Sequence, residues 1–115
     1  MALEAKLEKL AWRSETQVLR LKGRLDTQTV GILEAVMEKN APLPPHRWAL
    51  DLGGLDYVSS AGISTLVGLL YKIQPYQGSL CFFSVQEKVG RIFKLLGLDE
   101  SLPFYENEAA ARAIF

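Results

Sequence analysis

Two adjacent serines, Ser59 and Ser60, are the residues of this 115-residue chain whose type and setting could do chemistry. They follow a short apolar run, Trp48-Ala49-Leu50-Asp51-Leu52, that reads as a buried strand. Gly53 to Ser59 reads as a turn-prone connector. From Ser60 onward Ile63, Leu66, Val67, Leu70 and Ile73 recur at steps of three and four, which is one face of a helix. A serine where strand hands over to helix caps the first turn, its oxygen accepting from exposed backbone N–H groups. The free N–H groups and the positive end of the helix dipole also make that place a natural anion site. A hydroxyl able to carry a phosphate at such a spot is the sharpest feature of the sequence.

Other chemistries lack their parts. His46 is the single histidine and sits in the proline-rich loop 41–46, far in sequence from the serines; a loop histidine there is ordinarily solvated. The nucleophile elbow requires glycine two residues before the serine, and Val58 stands there. No phosphate-cradling Gly-rich loop is present; Gly53-Gly54 alone is a turn signal. Asp26, Asp51 and Asp56 are isolated loop carboxylates that read as caps, so neither a metal nor another cofactor is expected. Cys81, the single cysteine, excludes an internal disulfide, and its setting in Leu80-Cys81-Phe82-Phe83 points to a buried strand thiol. The residues show no catalytic machinery.

Composition bounds the rest. Hydrophobic residues make 49% of the chain and charged residues 23%, with thirteen basic against thirteen acidic side chains. No net field favours nucleic acid or anionic lipid. No apolar run is long enough to cross a bilayer, and MALEAKLEKL has no apolar signal region. Residues 1–115 are therefore expected to form one domain, cytoplasmic, without membrane insertion.

Residues 3–12 are helix-prone in composition, yet Leu3, Ala5 and Leu7 alternate with charges as on a half-buried strand. Paired with the alternating stretch 17–22 they read as an antiparallel hairpin. Asp26 or Thr27 caps a helix over 28–39, ended by Asn40 and the prolines that follow. The strand at Trp48 and the helix from Ser60 come next. Residues 79–84 read as a strand covered on both faces, followed by a helix over 86–96 with Gly97 at its end. Phe104 falls in a short extended piece, and Asn107 starts a terminal helix. Alternating strands and helices imply parallel pairing. The fold class is α/β, a mixed four- to five-stranded sheet with helices packed on it.

Leu55-Asp56-Tyr57-Val58-Ser59-Ser60-Ala61-Gly62-Ile63 resembles the signature of the STAS domain, the fold of bacterial anti-sigma factor antagonists. Upstream, Gly23-Arg24-Leu25-Asp26, with Thr29, is similar to the family's Gly-x-Leu-Asp segment. The resemblance spans nearly the whole chain and favours the strand reading of residues 3–12. It implies that Ser60 is phosphorylated by a partner that is both an anti-sigma factor and a serine kinase. It also implies that the unmodified form binds that partner and frees a sigma factor for transcription, and that a Ser/Thr phosphatase resets the modified form. Many phosphorylatable members carry Asp where this chain has Ser59, which makes Ser59 the second candidate acceptor.

Ser59 and Ser60 as caps alone is the plain alternative. Gly62 costs about 1 kcal/mol relative to Ala in a helix. With Ala61 it leaves the helix start bare, as suits the close approach of another surface. The expected partner surface is therefore Asp26, Thr27, Ser59, Ser60, Ala61, Gly62 and Ser64, completed by Gly68, Leu69 and Tyr71 on the exposed side of the helix. A non-switching scaffold subunit of a lipid-transport ATPase or stress-sensing complex is the runner-up, and a serine hydrolase is remote.

Overall fold

The computed structural model describes residues 2–115. Its strands and helices run β1 (Leu3–Ala11), β2 (Glu15–Leu25), α1 (Val30–Asn40), β3 (Arg47–Val58), α2 (Ser60–Ile73), β4 (Ser79–Phe83), α3 (Glu87–Leu95), β5 (Phe104–Tyr105) and α4 (Glu108–Ile114). The five strands lie in the sheet in chain order. β1 and β2 form the expected antiparallel hairpin, from Leu3 opposite Gly23 to Ala11 opposite Glu15. The remaining neighbours pair in parallel.

Alternation along the strands divides the side chains between two faces. Leu19, Leu21, Trp48, Leu50, Leu52, Leu80 and Phe82 point to one face, where Leu33 and Met37 of α1, Leu66 and Leu69 of α2, and Val89 and Phe93 of α3 close over them. Val18, Ala49, Cys81 and Phe83 point to the other, against Ala111 of α4 with Trp12 and Phe115 beside it. β4 is thus covered on both faces. Its Cys81 is fully buried, and desolvation pushes the thiol up to about 12, so it stays protonated and inert.

Polar ties fix the second face. Arg20 donates to Asp51 at 2.8 Å and to both carboxylate oxygens of Glu108 at 2.8 and 3.1 Å, while its Nε reaches Glu8 at 3.3 Å. These bonds hold Glu108 below the usual carboxylate range and raise the already high Arg20 value. Arg13 donates to the Ile114 carbonyl at 2.7 Å, and the Arg47 guanidinium lies 4.3 Å above the Phe115 ring.

One expected element is different. Gly53–Val58 is not a connector but the second half of β3, paired with β2 from Gly54 opposite Lys22 to Leu25 opposite Val58. The register shifts between Arg20 and Lys22, where β3 carries one residue more than β2. A Cβ on Gly54 would sit 3.0 Å from the Leu21 carbonyl oxygen. The glycine admits the neighbouring strand rather than turning the chain.

Candidate functional site at the start of α2

β2 and β3 are parallel and end together at Leu25 and Val58, so the residues that follow both strands meet at one end of the sheet. The Ser59 N–H donates to the Leu25 carbonyl at 2.9 Å, which ties the entry of α2 to the end of β2. Asp26 and Thr27 thus lie beside Ser59 and Ser60, as the sequence suggests. At the carboxyl ends of parallel strands, connecting segments carry the groups free to meet a ligand or partner.

The two serines divide the work between them. Ser59 is the N-cap of α2: its backbone is extended, and its Oγ accepts from the Gly62 N–H at 3.1 Å. Ser60 is the first helical residue, exposed, and its hydroxyl has no hydrogen-bond partner among the described residues. Capping by Ser59 leaves the Ser60 oxygen available for chemistry. No acidic residue occupies the first turn of α2, so the dipole there is uncompensated by the helix itself.

Asp26 is held in a compact turn. Its Oδ1 accepts from the Gln28 N–H at 3.0 Å, and its own N–H donates to Thr29 Oγ1 at 2.9 Å. The buried Thr29 hydroxyl donates to the Arg24 carbonyl at 2.9 Å. Neither Asp26 nor Thr27 is the N-cap of α1; Thr29 occupies that place, without a side-chain capping bond. Thr27 is exposed.

Gly62 corrects the expectation that it bares the helix start. It is buried, and a Cβ there would lie 2.8 Å from the Leu25 carbonyl oxygen and 2.9 Å from Val58 Cγ2. Glycine lets α2 come down onto the ends of β2 and β3, so it acts from behind the site. Leu69 is likewise fully buried, not on the exposed side. Ser64, Gly68 and Tyr71 do line shallow grooves beside α2, each about 440 Å³, one against Glu34 and Met37 of α1 and one against Leu96 and Leu98 after α3. Tyr71 is 67% exposed and Leu96 53%. Half-buried Ala61 completes the turn, its carbonyl accepting from Thr65 Oγ1 at 3.0 Å.

The sequence reasoning missed Arg24, whose guanidinium stacks 4.2 Å above the Tyr57 ring and places a cation beside Asp26. Only the cross-strand register, Arg24 opposite Tyr57, exposes that pair. His46 stacks flat on Tyr76, with ring centroids 4.3 Å apart, and its Nε2 lies 3.2 Å from the Pro42 carbonyl. Among the described residues no group of three or more His, Cys, Asp or Glu could hold a metal ion, and no helix is long and apolar enough to cross a membrane.

A five-stranded mixed sheet with helices on both faces and a serine-capped junction after β3 define an α/β domain with an exposed hydroxyl at that junction. The chain belongs to the STAS domain family, whose model matches residues 10–111. It is 30% identical over 95 residues to BtrV of Bordetella bronchiseptica, covering 83% of this chain and 82% of that protein. It is 29% identical over 89 residues to the anti-sigma-B factor antagonist of Staphylococcus epidermidis, covering 77% and 82%. Among solved structures, the unphosphorylated form of the anti-sigma factor antagonist SpoIIAA superposes with a TM-score of 0.78 at 20% identity, covering 96% of each chain.

Proposed function

We propose that this protein is an anti-sigma factor antagonist whose hold on an anti-sigma factor is gated by phosphorylation of Ser60. The observation that carries the reading is the division of labour at the α2 entry: Ser59 makes the cap, and the Ser60 hydroxyl is exposed and unengaged. The relatives named as antagonists supply the class of partner. The partner is an anti-sigma factor with serine kinase activity, and a Ser/Thr phosphatase restores the bound form. The protein itself acts by binding rather than catalysis.

Asp26, Thr27, Ser59, Ser60, Ala61 and Ser64 form the contact surface, with Gly62 seating it. A phosphate adds about −1.5 to −2 charges and three acceptor oxygens. The N-terminus of α2 tolerates that charge within the free protein. Across a closed interface, the bulk and the desolvation of a doubly charged group oppose binding, and each 1.4 kcal/mol lost is about tenfold in affinity.

The test is capture from native lysate on wild type, Ser60→Ala and Ser60→Asp, with phosphosites mapped on the wild type. Retention of a kinase-like anti-sigma factor by wild type and Ser60→Ala, its loss with Ser60→Asp, and phosphate at Ser60 are expected. Equal retention of the same partners by all three baits, with no phosphate at Ser59 or Ser60, sinks the switch and leaves a constitutive adaptor.

A further inference from the structure

Among the described residues the outer edge of β1 is unpaired, and its charge pattern fits one partner in particular. β1 lies at the margin of the sheet and pairs only with β2, in a single unbroken register from Leu3 to Ala11. The Arg24 N–H donates to the Ala2 carbonyl at 2.6 Å, so Ala2 and Arg24 form a hydrogen-bonded pair of the antiparallel ladder. With strict alternation, Glu4, Lys6, Glu8 and Leu10 also direct their backbone groups toward β2. Leu3, Ala5, Leu7, Lys9 and Ala11 therefore direct theirs outward, at the open edge.

We infer that the free edge of β1 pairs with β1 of a second copy of this chain, antiparallel and centred on Leu7, to close a two-fold dimer with one continuous sheet. Leu7 is the midpoint of β1, so this register engages the whole strand. It sets Leu7 opposite Leu7, Ala5 opposite Lys9 and Leu3 opposite Ala11 as hydrogen-bonded pairs. Lys6 and Glu8 then stand directly opposite each other twice, once on each side of the axis.

The registers shifted by one residue do worse. Centring on Lys6 places Lys6 against Lys6 and Glu4 against Glu8; centring on Glu8 places Glu8 against Glu8. Like charges directly opposite destabilise a strand pair and unlike charges stabilise it. Charges on an edge strand ordinarily deter pairing. Here they deter the wrong registers and permit one that closes on itself, since an isologous two-fold contact leaves no β1 edge for a third copy. The Lys6 side chain is 76% exposed. Its 3.6 Å pair with Glu8 of its own strand is a surface contact that solvent screens, weak enough to be exchanged for the partner's Glu8. Beside the same strand, Leu3, Ala5, Leu21 and the half-exposed Ile32, with Glu4, Lys6, Arg20 and Lys22, line a groove of about 500 Å³. The contact uses β1 and makes no demand on Ser60.

Sedimentation velocity over a concentration series tests it, with circular dichroism confirming that each variant folds. Wild type is expected to dimerise, and Lys6→Glu to weaken the dimer by at least about tenfold, since two attractive pairs become two repulsive ones. Glu8→Lys does the same in reverse. A mixture of Lys6→Glu with Glu8→Lys restores every opposite pair and is expected to form the heterodimer. Lys9→Pro removes an outward N–H that no intrachain bond uses, and is expected to be monomeric. A wild type that stays monomeric at the highest concentration overturns the inference, as does a dimer indifferent to Lys6→Glu and Lys9→Pro, or a mixture that fails to associate.

Discussion

Three helices cover one face of the sheet, whereas the seven-residue α4 covers the other, and the two faces are held by different forces. Under α1, α2 and α3 the contacts are large and apolar: Phe82 packs against Phe93 at 5.6 Å between ring centroids, and both meet Phe104 at 5.1 Å. Under α4 the core is smaller, with Val18, Ala49 and Cys81 beside Phe83, whose ring lies 6.0 Å from that of Trp12, and the helix is latched at its first residue by the Arg20–Glu108 pair. Apolar burial is indifferent to pH, whereas an ion pair depends on it and is screened by salt. The first face therefore sets stability, and it is also the one that seats α2 and its serines.

The contrast can be broken by substitution. The largest effect is expected from Phe93→Ala, which removes a fully buried ring from the three-helix face and should lower stability by about 3–5 kcal/mol in a denaturant titration. Gly62→Ala should follow, at about 1–3 kcal/mol, because its new methyl group meets the Leu25 carbonyl oxygen rather than a yielding side chain. It should also weaken partner capture even though Gly62 is buried. The smallest effect is expected from Glu108→Gln on the opposite face, under about 1 kcal/mol, since the pair is partly exposed and screened. Hydrogen bonding to Arg20 keeps Glu108 below its ordinary value of about 4.3, so its contribution is present above that pH and disappears as pH falls through the lowered value. Wild type and Glu108→Gln should thus differ at pH 7 and converge in acid, whereas the deficits of Phe93→Ala and Gly62→Ala should persist at both.

Most of the architecture is legible in the sequence because apolar period and punctuation agree. The prolines after Asn40, Asn107 as a cap accepting from the Ala110 N–H at 2.9 Å, and Gly97 at φ 72 after α3 act where their chemistry demands. The antiparallel hairpin of β1 and β2 could not be read from alternation alone, since residues 3–12 are helix-prone and Leu10 breaks the period; the family resemblance decides for the strand. Nor could the second half of β3 be read. Gly53, Gly54 and Asp56 carry turn propensities, and the register with β2 overrides them. The site was legible in part: Ser59, Ser60 and Asp26 are where the motif puts them. The roles of Gly62 and Leu69 depend on how far α2 rotates and sinks onto Leu25 and Val58, which a one-dimensional period does not specify. Arg24 over Tyr57 is a cross-strand relation, invisible until the register is known.

The separation of Ser59 from Ser60 has a bearing on turnover. A residue that both held the helix and received the modification would make the folded lifetime of the protein depend on its signalling state, and degradation would then erase one form faster than the other. Here the hydrogen bond from Gly62 belongs to the neighbour, so under the function proposed above, with the phosphate on Ser60, modified and unmodified molecules should age alike. On that proposal the ratio of the two forms in a cell would report only the proposed kinase and phosphatase.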